Sequence, residues 1–301
     1  MDAAADPVVL PLKSVIYATD FSPCSERAGQ YASLFARQFG AELVVAHAFT
    51  PSQAAMEVET ETGHGAKSAQ RKDLEDALTA AARRFSTLAF GDASRASALL
   101  LDGEPKDRIP RLARDHAPSI VVLGTKGRGR FERGIMGSTA DGILRSTDAP
   151  SLTVGPHVPD FAPDAVPIQR VLYATDLMPA AARGAAYAVD VAERFNACLD
   201  VLHVAHSQEM KDPARLGELR RQFHAALSDM IPQHAEELCD PKELIEAGSA
   251  HERILEHVRE FKVDLLVLSV HKSSHLWLRE RLSGAFHIVA HAPCPVMTIV
   301  S

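Results

Sequence analysis

The chain is 301 residues long, 46% hydrophobic and 24% charged, with 32 Lys and Arg against 39 Asp and Glu, a net charge of −7. These values fit a folded globular protein of about two ordinary domains and exclude a disordered, fibrous or strongly basic chain. The acidic balance argues against nucleic acid as a partner, and no apolar run approaches the ~20 residues that span a bilayer. The first thirteen residues lack the basic and apolar regions of a signal peptide, so the expected location is the cytoplasm. Cys24, Cys198, Cys239 and Cys294 form no CxxC pair and read as reduced thiols.

In chain order, strand patterns occupy residues 14–19, 43–48, 96–101, 120–124 and 151–154, with helical patterns between them. The first helix opens with Ser22 as N-cap and Pro23 at the first helical position, a preferred start. Ala32, Phe35, Ala36 and Phe39 fall on one face, and Gly40 ends the helix as a left-handed cap. The polar stretch 51–70 reads as a long loop. Ile120 to Leu123 is continuously apolar, as buried parallel strands are.

From residue 171 the pattern starts again. Val15-Ile16-Tyr17-Ala18-Thr19-Asp20 recurs as Val171-Leu172-Tyr173-Ala174-Thr175-Asp176, and fifteen of the thirty-six positions from 15 to 50 are identical at an offset of 156. Farther on the offset is 145: Gly103/Gly248, Arg108/Arg253, Leu123/Leu268 and Pro150/Pro295. The second copy is therefore 11 residues shorter, and the missing residues are expected in the 51–70 stretch. A repeat this long is a duplicated domain. Residues 1–155 and 165–301 are the expected domains, with the proline-rich stretch 156–164 as linker. Alternating strands and helices with right-handed crossovers predict an α/β fold, two tandem doubly wound domains, each with a five-stranded parallel sheet flanked by helices.

The chemistry is concentrated after the fourth strand, where Gly124-x2-Gly127-x9-Gly137-Ser138 leads into a helix. In open parallel sheets, ligands sit beyond the carboxyl ends of strands at the switch in strand order. Gly124 and Asp20 both lie at such ends, and they share one crevice if strands one and four are neighbours. Glycines permit positive φ and close approach of backbone N–H groups to phosphate. Ser138 and Thr139 begin the next helix, whose unpaired amides and dipole favour an anion. Asp20 is placed to accept a hydrogen bond from a sugar or base.

The Tyr-Ala-Thr-Asp strand end, His47-Ala48, the Gly103 segment and the glycine loop together resemble the universal stress protein family over nearly the whole chain. The resemblance implies an adenine nucleotide alpha hydrolase-like fold and ATP as ligand, with magnesium as a candidate companion. It implies that Asp20 and the Ala48 backbone hold adenosine, and that Gly124, Gly127, Gly137, Ser138 and Thr139 hold the phosphates. Ala48 stands where the family usually has valine. The implied role is a nucleotide-gated regulator in stress response, with the two domains packed as an intramolecular pseudo-dimer and the chain as a homodimer. The alternatives are a slow ATPase or autophosphorylating enzyme using the same pocket, and a nucleotide-free scaffold.

The second copy departs from the motif. Ser269, Lys272 and Leu282 stand opposite Gly124, Gly127 and Gly137, while Ser283 matches Ser138 and Asp176 matches Asp20. Added Cβ atoms obstruct a phosphate cradle, so this copy reads as degenerate for ATP. The pairs His271/His275 and His287/His291 have zinc-compatible i,i+4 spacing but no identifiable third ligand, and read as solvated or capping residues. His47 and His203 end apolar strands and read as hydrogen-bonded structural residues. No catalytic motif supplies a general base, and no metal site is predicted.

Overall fold

The computed structural model describes residues 12–50, 61–126, 136–162, 165, 167–178, 181–205, 212–230, 241–270 and 278–300. They fall into two compact units, 12–154 and 155–301.

The first unit runs β1 (Ser14–Ala18), α1 (Pro23–Phe39), β2 (Glu42–Phe49), α2 (Glu61–Phe90), β3 (Ala96–Asp102), α3 (Pro105–Asp115), β4 (Ser119–Gly124), α4 (Ser138–Ser146) and β5 (Ser151–Val154). Its strands lie in the order β3-β2-β1-β4-β5, every neighbouring pair parallel. The strand order reverses between β1 and β4, where Ala18 pairs with Leu123. Val15, Ile16, Tyr17, Val44, Val45, Val121 and Val122 are wholly buried, which accounts for the continuous apolar runs.

Local chemistry fixes α1. The Ser22 hydroxyl accepts the Ser25 N–H at 3.2 Å, and Gly40 closes the helix at φ 64°, its N–H reaching the last carbonyls. Gly29 is required by packing: a Cβ there would lie 2.3 Å from the Phe85 ring of α2. The expected loop over 51–70 is corrected in its second half. Residues from Glu61 onward are already helical, and 51–60 lie outside the described residues.

The second unit runs β6 (Arg170–Thr175), α5 (Ala182–Phe195), β7 (Cys198–Ala205), α6 (Pro213–Met230), β8 (Lys242–Ala247), α7 (Ala250–Glu260), β9 (Leu265–Val270), α8 (Leu278–His291) and β10 (Val296–Val300). Its parallel order β8-β7-β6-β9-β10 repeats the first. Registers repeat as well: Ala48 pairs with Leu101 and Val204 with Glu246, so the 11-residue difference falls between the second and third strands. There α2 spans 30 residues and α6 spans 18.

One part of the core changes character between the copies. In the first unit Val44, Leu101 and Leu112 pack in an apolar cluster beneath α3. Their counterparts are Asp200, Glu246 and His257, and Ser14 becomes Arg170. Asp200 is 2% exposed and accepts a hydrogen bond from the Arg170 guanidinium at 2.8 Å. His257, 3% exposed, places Nδ1 3.1 Å from Glu246 and Nε2 4.0 Å from Asp200, with its ring stacked on Phe261. Burial alone would lower the His257 pKa, but the Asp200 and Glu246 carboxylates outweigh it and raise the imidazole above its ordinary range. Burial likewise opposes ionisation of Asp200, and His257 with Arg170 overcomes it, holding this carboxyl below its usual range.

Candidate functional site

The crevice at the β1/β4 switch is built by two turns. In the first, Thr19 Oγ1 accepts the Phe21 N–H at 3.0 Å and Asp20 Oδ1 accepts the Ser22 N–H at 3.0 Å. Phe21 sits at φ 59°, a left-handed conformation that a bulky side chain rarely adopts and that costs on the order of 1–3 kcal/mol. The turn is duplicated in the second unit, with Leu177 at φ 61° and Thr175 and Asp176 making the same bonds at 3.1 and 3.2 Å. Both copies thus hold their strand-end carboxylate by the same strained turn.

The second turn leaves β4. Gly124 touches the start of α1, where a Cβ would lie 2.8 Å from the backbone of Cys24 and Ser25. Its glycine is required by that close approach, without positive φ. Gly137 has φ −64°, caps α4, and gives its N–H to Thr125 O at 2.8 Å. It therefore acts as the clasp of the helix start, and the amides that lack intrahelical acceptors are those of Ser138 onward. The Ser22 hydroxyl donates to Lys126 O at 3.0 Å, tying the α1 cap to the start of the glycine loop.

These turns enclose a cavity of about 260 Å³ whose walls include Asp20, Ala48, Gly124, Gly137, Ser138 and Thr139. Six of the seven predicted positions share this one space, and Gly127 lies outside the described residues. Ile109, Leu123 and Ile143 supply an apolar wall. Sequence reading missed Thr125. This residue lines the cavity, is 1% exposed, and its Oγ1 has no hydrogen-bond partner among the described residues. A buried hydroxyl without a partner is costly unless a ligand or water completes it.

Behind the site, the Tyr17 hydroxyl donates to Ser25 O at 2.7 Å and lies 3.1 Å from the Ser25 and Thr19 hydroxyls. Burial pushes this phenol up to about 12, so it stays protonated and acts as a structural bolt. His47 donates Nδ1–H to Thr19 O at 2.7 Å, and His203 does the same to Thr175 O at 3.0 Å, as expected of structural histidines.

A corresponding cavity of about 590 Å³ in the second unit includes Asp176, His203, Val204, Ile254 and Leu268. Its strand-four end is rebuilt. Ser269, opposite Gly124, places Oγ 3.2 Å from the Tyr173 hydroxyl, the role Ser25 plays for Tyr17. Ser25 itself has become Ala181, and Ala28 has become Gly184. A Cβ at Gly184 would lie 2.0 Å from Ser269 Oγ. The hydroxyl has moved from helix to strand, and a methyl has been removed from the helix to seat it. Val270 replaces Thr125 and Met178 replaces Ser22. The helix α8 begins at Leu278, five residues before the position matching Ser138.

Of the histidine pairs, His287 and His291 stack at 4.1 Å between ring centroids, and His251 lies 5.0 Å from His287. Burial first, and then the neighbouring imidazoles, lowers the His287 pKa. Among the described residues no cluster of His, Cys, Asp and Glu is arranged to hold a metal ion, and His271 and His275 lie outside them. No helix among the described residues is long and apolar enough to cross a membrane.

Comparison with known proteins converges on one family. A model of the universal stress protein family matches residues 11–155 and again residues 167–299. A curated universal stress protein of Thermus aquaticus is 29% identical over 143 residues, which cover 47% of this chain and 98% of that protein. A universal stress protein structure from Archaeoglobus fulgidus aligns with 95% of this chain and 98% of its own at a TM-score of 0.70 and 16% identity, a likeness of fold. The chain belongs to the universal stress protein family, as a tandem member carrying the domain twice.

Proposed function

We propose that domain one, residues 1–155, binds ATP and that nucleotide occupancy gates a regulatory role in stress response. The observation that carries this reading is the convergence on one cavity of the Asp20 turn, the α4 amino terminus and the partnerless Thr125 hydroxyl. Its volume of about 260 Å³ suits the adenosine half of the ligand. Small-molecule pockets run from roughly 300 to 1,000 Å³, so the phosphates would extend outward past Ser138 and Thr139 toward the glycine loop. Asp20 would accept a sugar or base hydrogen bond. The backbone of Ala48 would border the ring against the apolar wall, and Gly124 and Gly137 would bring the amide-bearing turns together. Gly127 belongs to the same proposed cradle. Magnesium would accompany the phosphates.

Binding is the reading taken, with His47 in a structural role: its Nδ1–H goes to Thr19 O and fixes the strand end. Domain two, residues 165–301, is read as unable to hold a triphosphate. Calorimetric titration of the full chain is expected to give one ATP per chain, and Gly127→Leu and Gly137→Leu should each abolish the heat while the fold persists. Two equal sites per chain, or unchanged affinity in both glycine variants, would overturn this function. Phosphate release from ATP with magnesium at a catalytic rate would favour the enzyme instead.

A further inference from the structure

We infer that the second-domain cavity is a separate ligand site, refitted for an uncharged nucleoside, a flat ring on a hydroxylated sugar without a polyphosphate. The inference rests on the first cavity being a nucleotide site, because the two share their ring-and-sugar end.

That end is intact. Asp176 is presented by the same strained turn as Asp20, with Leu177 held left-handed to do it. His203 buttresses the strand end as His47 does. Val204, Ile254, Leu268 and Ile288 give the space an apolar wall, and its volume of about 590 Å³ is ample for a nucleoside. A site abandoned to drift has no reason to keep a bulky residue at positive φ, where glycine or asparagine would relieve the strain.

The phosphate end loses its donors through coordinated changes. Ser269 is seated in space opened by Gly184, and its hydroxyl serves Tyr173. These replacements compensate each other sterically and chemically, which marks refitting. The amides matching Ser138 and Thr139 are those of Ser283 and Gly284, the sixth and seventh residues of α8. Inside a helix each such N–H is bonded to the carbonyl four residues earlier, so neither can turn to a phosphate. Val270 removes the hydroxyl of Thr125, the one buried hydroxyl without a partner among the described residues of domain one. What remains recognises the part of a nucleotide that carries no phosphate charge.

The test uses the full chain saturated with ATP and titrated with adenosine, and with guanosine and uridine in parallel. The expected result is one equivalent of nucleoside per chain for at least one of the three. Asp176→Asn should weaken it at least tenfold while leaving the ATP titration unchanged, and an unchanged urea unfolding midpoint of the second domain verifies that the variant folds. No nucleoside heat in the ATP-saturated chain, or full nucleoside affinity in Asp176→Asn, would overturn the site. A second equivalent of ATP that displaces the nucleoside would overturn the exclusion of polyphosphate. Failure of the ATP reading looks different: the chain takes up no ATP, yet nucleoside still titrates in a manner dependent on Asp176.

Discussion

Gly184→Ala offers a quantitative check on how the strand-four end of the second cavity was rebuilt. The added methyl would lie 2.0 Å from Ser269 Oγ and 3.0 Å from the Tyr173 ring, so something must move. Overpacking of this kind costs about 1–3 kcal/mol, and displacing Ser269 forfeits its hydrogen bond to Tyr173, roughly 1 kcal/mol more. The better helix propensity of alanine returns at most about 1 kcal/mol. Ser269→Gly alone should lose about 1 kcal/mol, because Tyr173 keeps its 2.6 Å bond to Ala181 O. In the double variant the methyl fills the vacated volume, so the two effects should couple by about 1–3 kcal/mol in the favourable direction. Amide hydrogen exchange of β6, β9 and α5 as a function of urea reports the relevant transition. Single effects that add to within about 0.5 kcal/mol would refute the reciprocal seating.

Protonation gives a second handle. The raised His257 pKa contributes stability that is complete below its unfolded value of about 6.5 and is lost as pH rises through the folded value. The lowered Asp200 contributes stability present above about 3.9 and lost as pH falls through its folded value. The urea unfolding midpoint of the second domain should therefore peak between about pH 4 and 6.5, and His257→Leu should flatten its alkaline limb; identical profiles would contradict this. In domain one, Gly29→Ala should destabilise by about 1–3 kcal/mol because of Phe85, measured as lost amide protection in α1 and α2 by hydrogen exchange. Thr125→Val should weaken ATP by about 1 kcal/mol with no loss of fold, and equal calorimetric affinities would show that its hydroxyl meets no ligand.

The strands were legible because a parallel sheet buried on both faces writes itself as uninterrupted apolar runs, and the repeat supplied each run twice. The predicted 151–154 strand is reproduced, and the others shift by a residue or two at their ends. The start of α2 was hidden by Gly63 and Gly65, which weaken the helical signal that the packed remainder of the helix propagates backward. Asp20 could be found from its place at a strand end. The left-handed Phe21 could not, because nothing in a phenylalanine announces positive φ. Gly124 was correctly placed on the cavity, but its reason is the backbone of α1, a contact between residues a hundred positions apart. Comparing the copies could have exposed the ionic cluster, since Val44, Leu101 and Leu112 all change to ionisable residues, but only the β6, β7, β8 and α7 packing unites them.

That cluster also bears on how the chain reaches its native state. Two domains sharing fifteen of thirty-six residues across their first βαβ segments invite strands of one to enter the sheet of the other while both are incomplete. With β7 in place of β2, Asp200 would be buried against Leu101 and Leu112 with no cation to meet it. With β2 in place of β7, Val44 would leave Arg170 without its carboxylate and His257 with Glu246 alone. Breaking a buried ion pair costs about 3–5 kcal/mol, enough to make either exchange a shallow and reversible excursion. The charges that make one core chemically unlike the other therefore act as a sorting code, directing each strand to its own sheet in a chain that contains two near copies of the same instruction.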